Sequence, residues 1–246
     1  MTYNVHSCVG VDRRVDLGRV AAVIAQCKPD IVALQELDVG RPRTGGEDQA
    51  HAIASKLGMA FHFHPTIQVA EEQYGDALLT ALPMRLVKTG ALPTLQRGPK
   101  LERRGALWAA IEVEGGELQV INTHLGLVPL EQRGQMACLT GRDWLGHEDC
   151  TGPAVMLGDF NATPRYAAYA QATAKLRDAR RLVGGAKGRG APTFPSRFPM
   201  LRIDHIFVGE GIEVLDLYTP DGPLARAASD HLPLVADIRV KAERKT

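Results

Sequence analysis

The run Ala154-Val155-Met156-Leu157-Gly158-Asp159-Phe160-Asn161 decides the fold class. Four apolar residues make a short buried strand, and the chain then turns at a glycine into an acid and an amide. The same design recurs. Ile31-Val32-Ala33-Leu34 ends at Gln35-Glu36, and Leu118–Ile121 ends at Asn122-Thr123-His124. Arg202-Ile203-Asp204-His205 opens a further strand, and Ser229-Asp230-His231 immediately precedes another. A single Asp or Asn after a strand is an ordinary turn residue. Five such sites, built from Glu, Asp, Asn and His at the tips of separate strands, are harder to explain that way. Layered α/β proteins gather ligand groups at strand ends, where loops converge.

Outward from these strands, β-type runs alternate with helical segments, the pattern of an α/β layered chain. Asp16 is placed to cap a helix through Val20, Val23 and Ile24 that stops before Pro29. A second helix is expected around 48–57, ended by Gly58. Strands are expected at 59–64, 76–81, 85–91, 105–113 and 117–123. Pro129 opens a helix whose apolar spacing continues to Trp144. A strand at 154–158, a helix from about Arg165, and strands at 203–208, 212–218 and 233–240 complete the order. The Gly-rich piece 184–191 reads as a mobile loop rather than a boundary, so one domain, 1–246, is expected.

The 246 residues are 45% hydrophobic and 23% charged, enough apolar material for a sizeable core. No run approaches the roughly 18 consecutive apolar residues of a membrane-spanning helix. The start, Met1 to His6, has neither a basic nor an apolar signal region. Cys8, Cys27, Cys138 and Cys150 form no C-x-x-C pair; Cys27 and Cys138 fall in apolar helical patterns and are expected to be buried free thiols. A reducing, cytoplasmic compartment follows as the expectation. A net charge of +1 weighs against a dedicated duplex-DNA binder, which carries a basic excess. Basic groups cluster only locally, at Arg97, Lys100, Arg103 and Arg104, and at Arg177, Arg180, Arg181, Lys187 and Arg189.

Carboxylates and amide oxygens are hard ligands suited to Mg²⁺ or Mn²⁺, and no cysteine lies among them. Cleaving a phosphoester needs charge neutralisation, an activated water and a stabilised leaving oxygen; a bound metal supplies the first and helps with the others. Imidazoles and further carboxylates handle protons or orient one another.

Thr2-Tyr3-Asn4, Leu34-Gln35-Glu36, Asn122-Thr123-His124-Leu125, Gly158-Asp159-Phe160-Asn161, Arg202-Ile203-Asp204-His205 and Ser229-Asp230-His231-Leu232-Pro233 stand in that order along the chain. Together they resemble the endonuclease/exonuclease/phosphatase superfamily, which includes deoxyribonuclease I, repair nucleases, neutral sphingomyelinases and inositol polyphosphate phosphatases. Each segment alone is weak; six in order, over residues 2 to 233, are specific. The resemblance implies a four-layered α/β sandwich, two packed mixed β-sheets flanked by helices, acting as a metal-dependent phosphoric ester hydrolase. It further implies one or two Mg²⁺ (or Mn²⁺) ions, with Glu36 as principal ligand assisted by Asn4 and Asp230. Asp159 and Asn161 match residues that position or deprotonate the attacking water, bind the phosphoryl group and hold a second metal. His231 matches the imidazole that contacts the scissile phosphate, oriented by Asp204. His124 matches a phosphate hydrogen-bond donor or leaving-group acid, and Arg104 a phosphate contact. Only three residues precede Asn4, so the first strand is expected to be short.

Other polar residues have ordinary readings. Asp76 fits a strand-start turn as well as a site role, and Arg41 and Arg43 fit solvated arginines as well as a phosphate clamp. His62 and His64 alternate on a strand without matching acids, His51 reads as a surface residue, and Trp108 and Trp144 read as core. The aromatic that precedes the Gly-Asp pair in inositol phosphatases is replaced by Met156, and no long basic or aromatic insertion is present to wedge a base step. The first reading is therefore a phosphodiesterase or phosphatase for a small or lipid-linked phosphoester. The alternative is a DNA or RNA nuclease of the same fold, which a positive groove beside Glu36 would favour. A third reading, a non-catalytic binding protein, requires a missing ligand or proton-transfer residue, and none is missing.

Overall fold

A computed structural model describes residues 1–95, 101–183 and 192–241. The Gly-rich stretch 184–191, and with it Lys187 and Arg189, lies outside the described residues, as do Arg97 and Lys100. In chain order the elements are β1 (Thr2–Asn4), α1 (Leu17–Cys27), β2 (Ile31–Val39), α2 (Gln49–Leu57), β3 (Ala60–Val69), β4 (Glu72–Thr80), β5 (Met84–Ala91), β6 (Gly105–Val113) and β7 (Gly116–His124). There follow α3 (Pro129–Leu139), β8 (Ala154–Asp159), α4 (Ala167–Thr173), β9 (Arg177–Asp178), α5 (Ala179–Leu182), β10 (Asp204–Val208), β11 (Ile212–Tyr218), α6 (Pro223–Ala228) and β12 (Val235–Val240).

The strands form two mixed sheets. One has the order β1-β2-β4-β3 and the other β5-β6-β7-β8-β10-β9; among the described residues, β1–β2 and β7–β8 are the parallel pairs. The β11–β12 ribbon attaches to the first sheet through a bridge between Leu234 and Thr2. Side-chain alternation then sorts the core into layers. On β6, Leu107, Ala109 and Ile111 face the other sheet, packing with Ala33, Leu78, Val120 and Val155. Their neighbours Ala106 and Trp108 face the opposite way, packing with Met136 of α3 and Ala168 of α4. On β2, Val32 and Leu34 turn toward Val20 and Ile24 of α1 and Ile53 of α2. Helix, sheet, sheet and helix make the four expected layers.

Local chemistry explains most element boundaries. Asp16 and Asp48 accept the backbone N–H groups of Arg19 and His51, capping α1 and α2, and Gly58 ends α2 in the left-handed region. Three boundaries depart from the expectation. The strand expected to end at His64 continues to Val69, because β3 is a sheet edge and Pro65 sits at a register shift where no ladder donor is required. The helix expected to reach Trp144 stops at Leu139: Thr140 bonds back to the Met136 carbonyl, Gly141 follows, and Trp144 enters the core from the turn beyond. β4 begins at Glu72, so Asp76 is a mid-strand residue and not a strand-start turn. Cys27 and Cys138 are free but only partly buried.

The inter-sheet layer turns polar toward one end. There β2 bulges between Leu34 and Leu37, and Glu36 takes a φ of +62°. A left-handed conformation costs a non-glycine residue about 1–2 kcal/mol. Three groups hold it in place. Asn122 on β7 donates from Nδ2 to the Leu34 and Ala77 carbonyls at 3.0 and 2.9 Å, and Gln35 donates to Asn122 Oδ1 at 2.8 Å. The buried Asp76 carboxyl, opposite the bulge, takes the Glu36 backbone N–H. At about 1 kcal/mol for each neutral bond, these together offset the strain. The bulge turns the Glu36 side chain out of the sheet and into a cleft.

Candidate active site

Three strand ends and two loops meet at that cleft. Asp159 ends β8, His124 ends the adjacent parallel strand β7, and Asp204 begins β10, directly opposite Asp159 in the register. The backbone between Gly158 and Asn161 is specialised. Gly158 has a φ of +148°, and a Cβ on it would lie 1.8 Å from the Thr123 carbonyl oxygen, so only glycine fits. Asn161 is left-handed at φ +47°, and its N–H closes on Asp159 Oδ1 at 2.8 Å.

The side chains converge from both sheets. Asn4 Nδ2 donates to Glu36 Oε1 at 2.8 Å and to Asp159 Oδ2 at 3.0 Å. His124 Nε2 lies 3.5 Å from Asp159 Oδ2 and 4.0 Å from Glu36 Oε1. Asn161 Nδ2 is 3.0 Å from the same ring nitrogen and from the Leu125 carbonyl. On the other side of Asp159, His231 Nε2 is 3.6 Å from Oδ2, and its Nδ1 is 2.9 Å from Asp204 Oδ2. Thr193 donates its hydroxyl to that same Asp204 oxygen, and Phe194 packs its ring 4.8 Å from the imidazole of His231. Arg104 is buried: its Nη1 meets Glu102 Oε1 at 2.6 Å and His124 Nδ1 at 3.0 Å.

Burial and charge set the proton affinities. Burial, then the neighbouring Asp204, push the Asp159 carboxyl up to about 7, against the pull of His231, the Asn161 N–H and Asn4. Burial opposes the charged form of His231, but Asp204 and Asp159 outweigh it and raise the imidazole to about 10. Burial lowers His124 well below the usual imidazole value, helped by the positive charges of Arg104 and His231. Burial likewise raises Asp76 to about 8. The site thus holds one imidazolium, one neutral imidazole and a carboxyl that needs a nearby positive charge to ionise fully.

A divalent cation fits these residues. Glu36 and Asp159 arrive from different sheets and share a single amide group between them, and the donors are hard oxygens. Asp159, Asp204 and His231 also offer ligand atoms within 4.8 Å of one another, although Asp204 Oδ2 and His231 Nδ1 are bonded together. Asp230 faces His6 Nδ1 at 3.8 Å and Ser229 Oγ at 3.3 Å, and both of these residues bond Asn4, His6 at its Oδ1 and Ser229 at its carbonyl.

Arg41 and Arg43 are not free surface arginines. Arg43 grips the buried Asp38 with Nε and Nη2, both at 2.7 Å; Arg41 reaches Asp38 and Glu72 at 3.6 and 3.5 Å; both lie over the Tyr74 ring. Sequence reading missed this assembly, together with Thr193 and His6. His6, Ser7 and Cys8 are consecutive left-handed residues at φ +48°, +51° and +57°. Ser7 is pinned by Gln49 Nε2 at its carbonyl and Arg43 Nη2 at its hydroxyl, and the His6 N–H bonds Asn4 Oδ1 at 3.0 Å. The only sequence hint is that His6 lies two positions after Asn4. The cleft holds about 700 Å³, with walls that include Ile67, Tyr74, Leu127 and Phe194 beside the polar groups.

The endonuclease/exonuclease/phosphatase family model matches residues 1–231. The chain belongs to that family, whose members hydrolyse phosphoesters, typically with divalent metals. It is similar to the Escherichia coli (strain K12) protein YbhP, 27% identical over 251 residues, covering 98% of this chain and 95% of the relative. Among solved structures it is similar to an endonuclease/exonuclease/phosphatase from Beutenbergia cavernae DSM 12333 (TM-score 0.77, 25% identity), over 98% of this chain and 70% of that one. The mannosyl-6-phosphatase Bt3783 of Bacteroides thetaiotaomicron VPI-5482 has the same fold (TM-score 0.75, 18% identity), over 97% of this chain and 98% of that one.

Proposed function

We propose that this chain is a divalent-metal-dependent phosphodiesterase or phosphatase acting on a small or lipid-linked phosphoester. The observation that carries the reading is the meeting of Glu36 and Asp159 on the Asn4 amide, with the Asp204–His231 pair 3.6 Å from Asp159. Glu36 and Asp159 would hold a Mg²⁺ or Mn²⁺ ion, joined by Asn4 once its amide turns so that Oδ1, which now takes the His6 N–H, faces the ion; Asn161 and Asp230 would assist. When bound, such an ion neutralises phosphoryl charge and acidifies the attacking water. Asp159 would take the proton of the attacking water, and Asn161 would orient the phosphoryl group. His231, kept protonated by Asp204, stabilises the charge that grows on the phosphoryl oxygens. His124, kept neutral, faces the same group as a hydrogen-bond donor.

Two features favour a small substrate over a long nucleic acid. A cleft of about 700 Å³ is within the range of roughly 300–1,000 Å³ for small-molecule sites. Among the described residues, the arginines lining it are engaged by acids: Arg43 and Arg41 by Asp38, and Arg104 by Glu102. That leaves little uncompensated charge for counterion-releasing backbone contacts. The chain is taken as one catalytic unit over 1–246. Four free thiols suit a reducing, cytoplasmic setting, and no described helix is long and apolar enough to cross a membrane.

The test is hydrolysis of bis(p-nitrophenyl) phosphate with Mg²⁺, Mn²⁺ or EDTA, alongside a sugar phosphate, a phospholipid and plasmid DNA. Metal-dependent turnover that is lost in Asp159→Ala supports the reading. Turnover indifferent to EDTA, or retained in Asp159→Ala, refutes it. Plasmid cleavage that outruns the small esters would favour the nuclease.

A further inference from the structure

His124 is caught between two donors. Arg104 Nη1 lies 3.0 Å from its Nδ1, and Asn161 Nδ2 lies 3.0 Å from its Nε2. A neutral imidazole carries one lone pair and one N–H, so it can accept from only one of them. The guanidinium is always protonated and has no acceptor atom. It therefore demands a lone pair on Nδ1. Flipping the Asn161 amide does not relieve the other contact, because the same Nδ2 donates to the Leu125 carbonyl at 3.0 Å, where an amide oxygen would meet a carbonyl oxygen.

Strength decides the competition. A charge-assisted hydrogen bond is about twice as strong as a neutral one, so Arg104 prevails over the Asn161 amide. The surroundings of Nε2 agree: Asp159 Oδ2 at 3.5 Å and Glu36 Oε1 at 4.0 Å are both acceptors, and both favour a proton on that nitrogen. Arg104 cannot turn away easily. It is buried, and Glu102 Oε1 holds the same Nη1 at 2.6 Å, so the two hydrogens on that nitrogen are divided between the carboxylate and the ring.

We infer that Arg104 is a positioning residue: it locks His124 in the Nε2–H tautomer, so that the ring donates to substrate and cannot act as a proton acceptor at Nε2. This deepens the proposed function and rests on it for the meaning of the donor, though not for the tautomer itself. It stands beside the expectation that Arg104 touches phosphate: Nη1 is committed to Glu102 and His124, and the guanidinium carries further N–H donors. It leaves two N–H donors, His124 Nε2 and Asn161 Nδ2, 3.0 Å apart, a contact that an anionic phosphoryl oxygen accepting from both would relieve.

The experiment is long-range nitrogen–proton correlation NMR on protein carrying isotope-labelled histidine, with His124 assigned by its loss in His124→Gln. The expected wild-type spectrum has a protonated Nε2 and a bare Nδ1 at His124, with or without Mg²⁺. In Arg104→Met, which keeps the apolar stem and removes the donor, the ring should shift toward Nδ1–H, and Arg104→Lys should restore the wild-type tautomer. Turnover should fall on the order of 10²-fold in Arg104→Met at saturating metal and recover in part in Arg104→Lys. A wild-type ring protonated at Nδ1 overturns the inference, and this readout holds even if Arg104→Met fails to fold. An Nε2–H tautomer that persists in a folded Arg104→Met variant overturns it as well. Because the spectrum needs no turnover, failure of the hydrolase reading leaves the tautomer result standing on its own.

Discussion

Replacing Gly158 with alanine tests whether one missing side chain sets the geometry of the site. Gly158 pairs with Thr123 across the parallel ladder of β7 and β8, one residue before both Asp159 and His124. An added Cβ would sit 1.8 Å from the Thr123 carbonyl oxygen, whereas ordinary contact begins at 3.4 Å, so the strands must part locally by about 1.6 Å. That displacement falls on the two residues flanking the phosphoryl position. A misplacement of about 1 Å already costs on the order of 10²-fold in rate. The positive φ adds about 1–2 kcal/mol of strain, and forced overpacking about 1–3 kcal/mol. With about 2–4 °C per kcal/mol for a chain this long, the melting temperature should fall by roughly 4–20 °C. Thermal melting by circular dichroism and steady-state turnover of bis(p-nitrophenyl) phosphate read the two effects. Gly134→Ala is the control: it lies in α3 with nothing near its Cβ position and should gain about 0.5–1 kcal/mol without touching the rate. A folded Gly158→Ala variant with a rate within about threefold of wild type would refute the reasoning.

Three further outcomes are expected. Glu36→Gln should lower metal affinity and turnover together, measured by metal titration calorimetry and initial rates; loss of turnover with affinity intact would remove Glu36 from the ligand set. Asp204→Asn should cut kcat at saturating metal by about 10²-fold or more, because the neighbour that raises His231 to about 10 is gone, while metal affinity stays near wild type. Metal-free protein should lose stability as pH rises from about 6.5 to 9. Asp76 and His231, raised to about 8 and 10, carry the loss through that window; Asp159, raised to about 7, has lost most of its contribution below it, and the N-terminal amine, lowered by burial to about 6, opposes the loss only up to about 8. His205, lowered to about 4 by burial, changes stability only below that window. A flat or rising melting temperature across it would contradict the assignment, and Mg²⁺ should restore much of the loss.

The strands and the residues at their tips were legible because each is carried by a few adjacent positions: an apolar run, then Glu36, His124 or Asp159. What holds those tips was not. Asp76 supports Glu36 only because a bulge sets them opposite each other, and Thr193 reaches Asp204 only through the fold of a loop. Asp38, Gln49 and Ser7, all buried, and the exposed Arg43 form one assembly from three segments, so no local pattern announces it. Pro65 misled for the opposite reason. Its local meaning is to end a strand, and only the position of β3 at a sheet edge cancels that.

Ser229 donates its hydroxyl to the Asn4 carbonyl at 2.8 Å, and Leu234 exchanges backbone hydrogen bonds with Thr2 at 2.9 Å in each direction. The segment that carries Asn4 is therefore fastened by residues made more than two hundred positions later. During synthesis on the ribosome, β1 can pair with β2 early, but the bonds from Ser229 and Leu234 on its other side wait until that late segment emerges, and His231 arrives only with it. The cleft is therefore incomplete until residues 229–234 have been made and folded back onto β1.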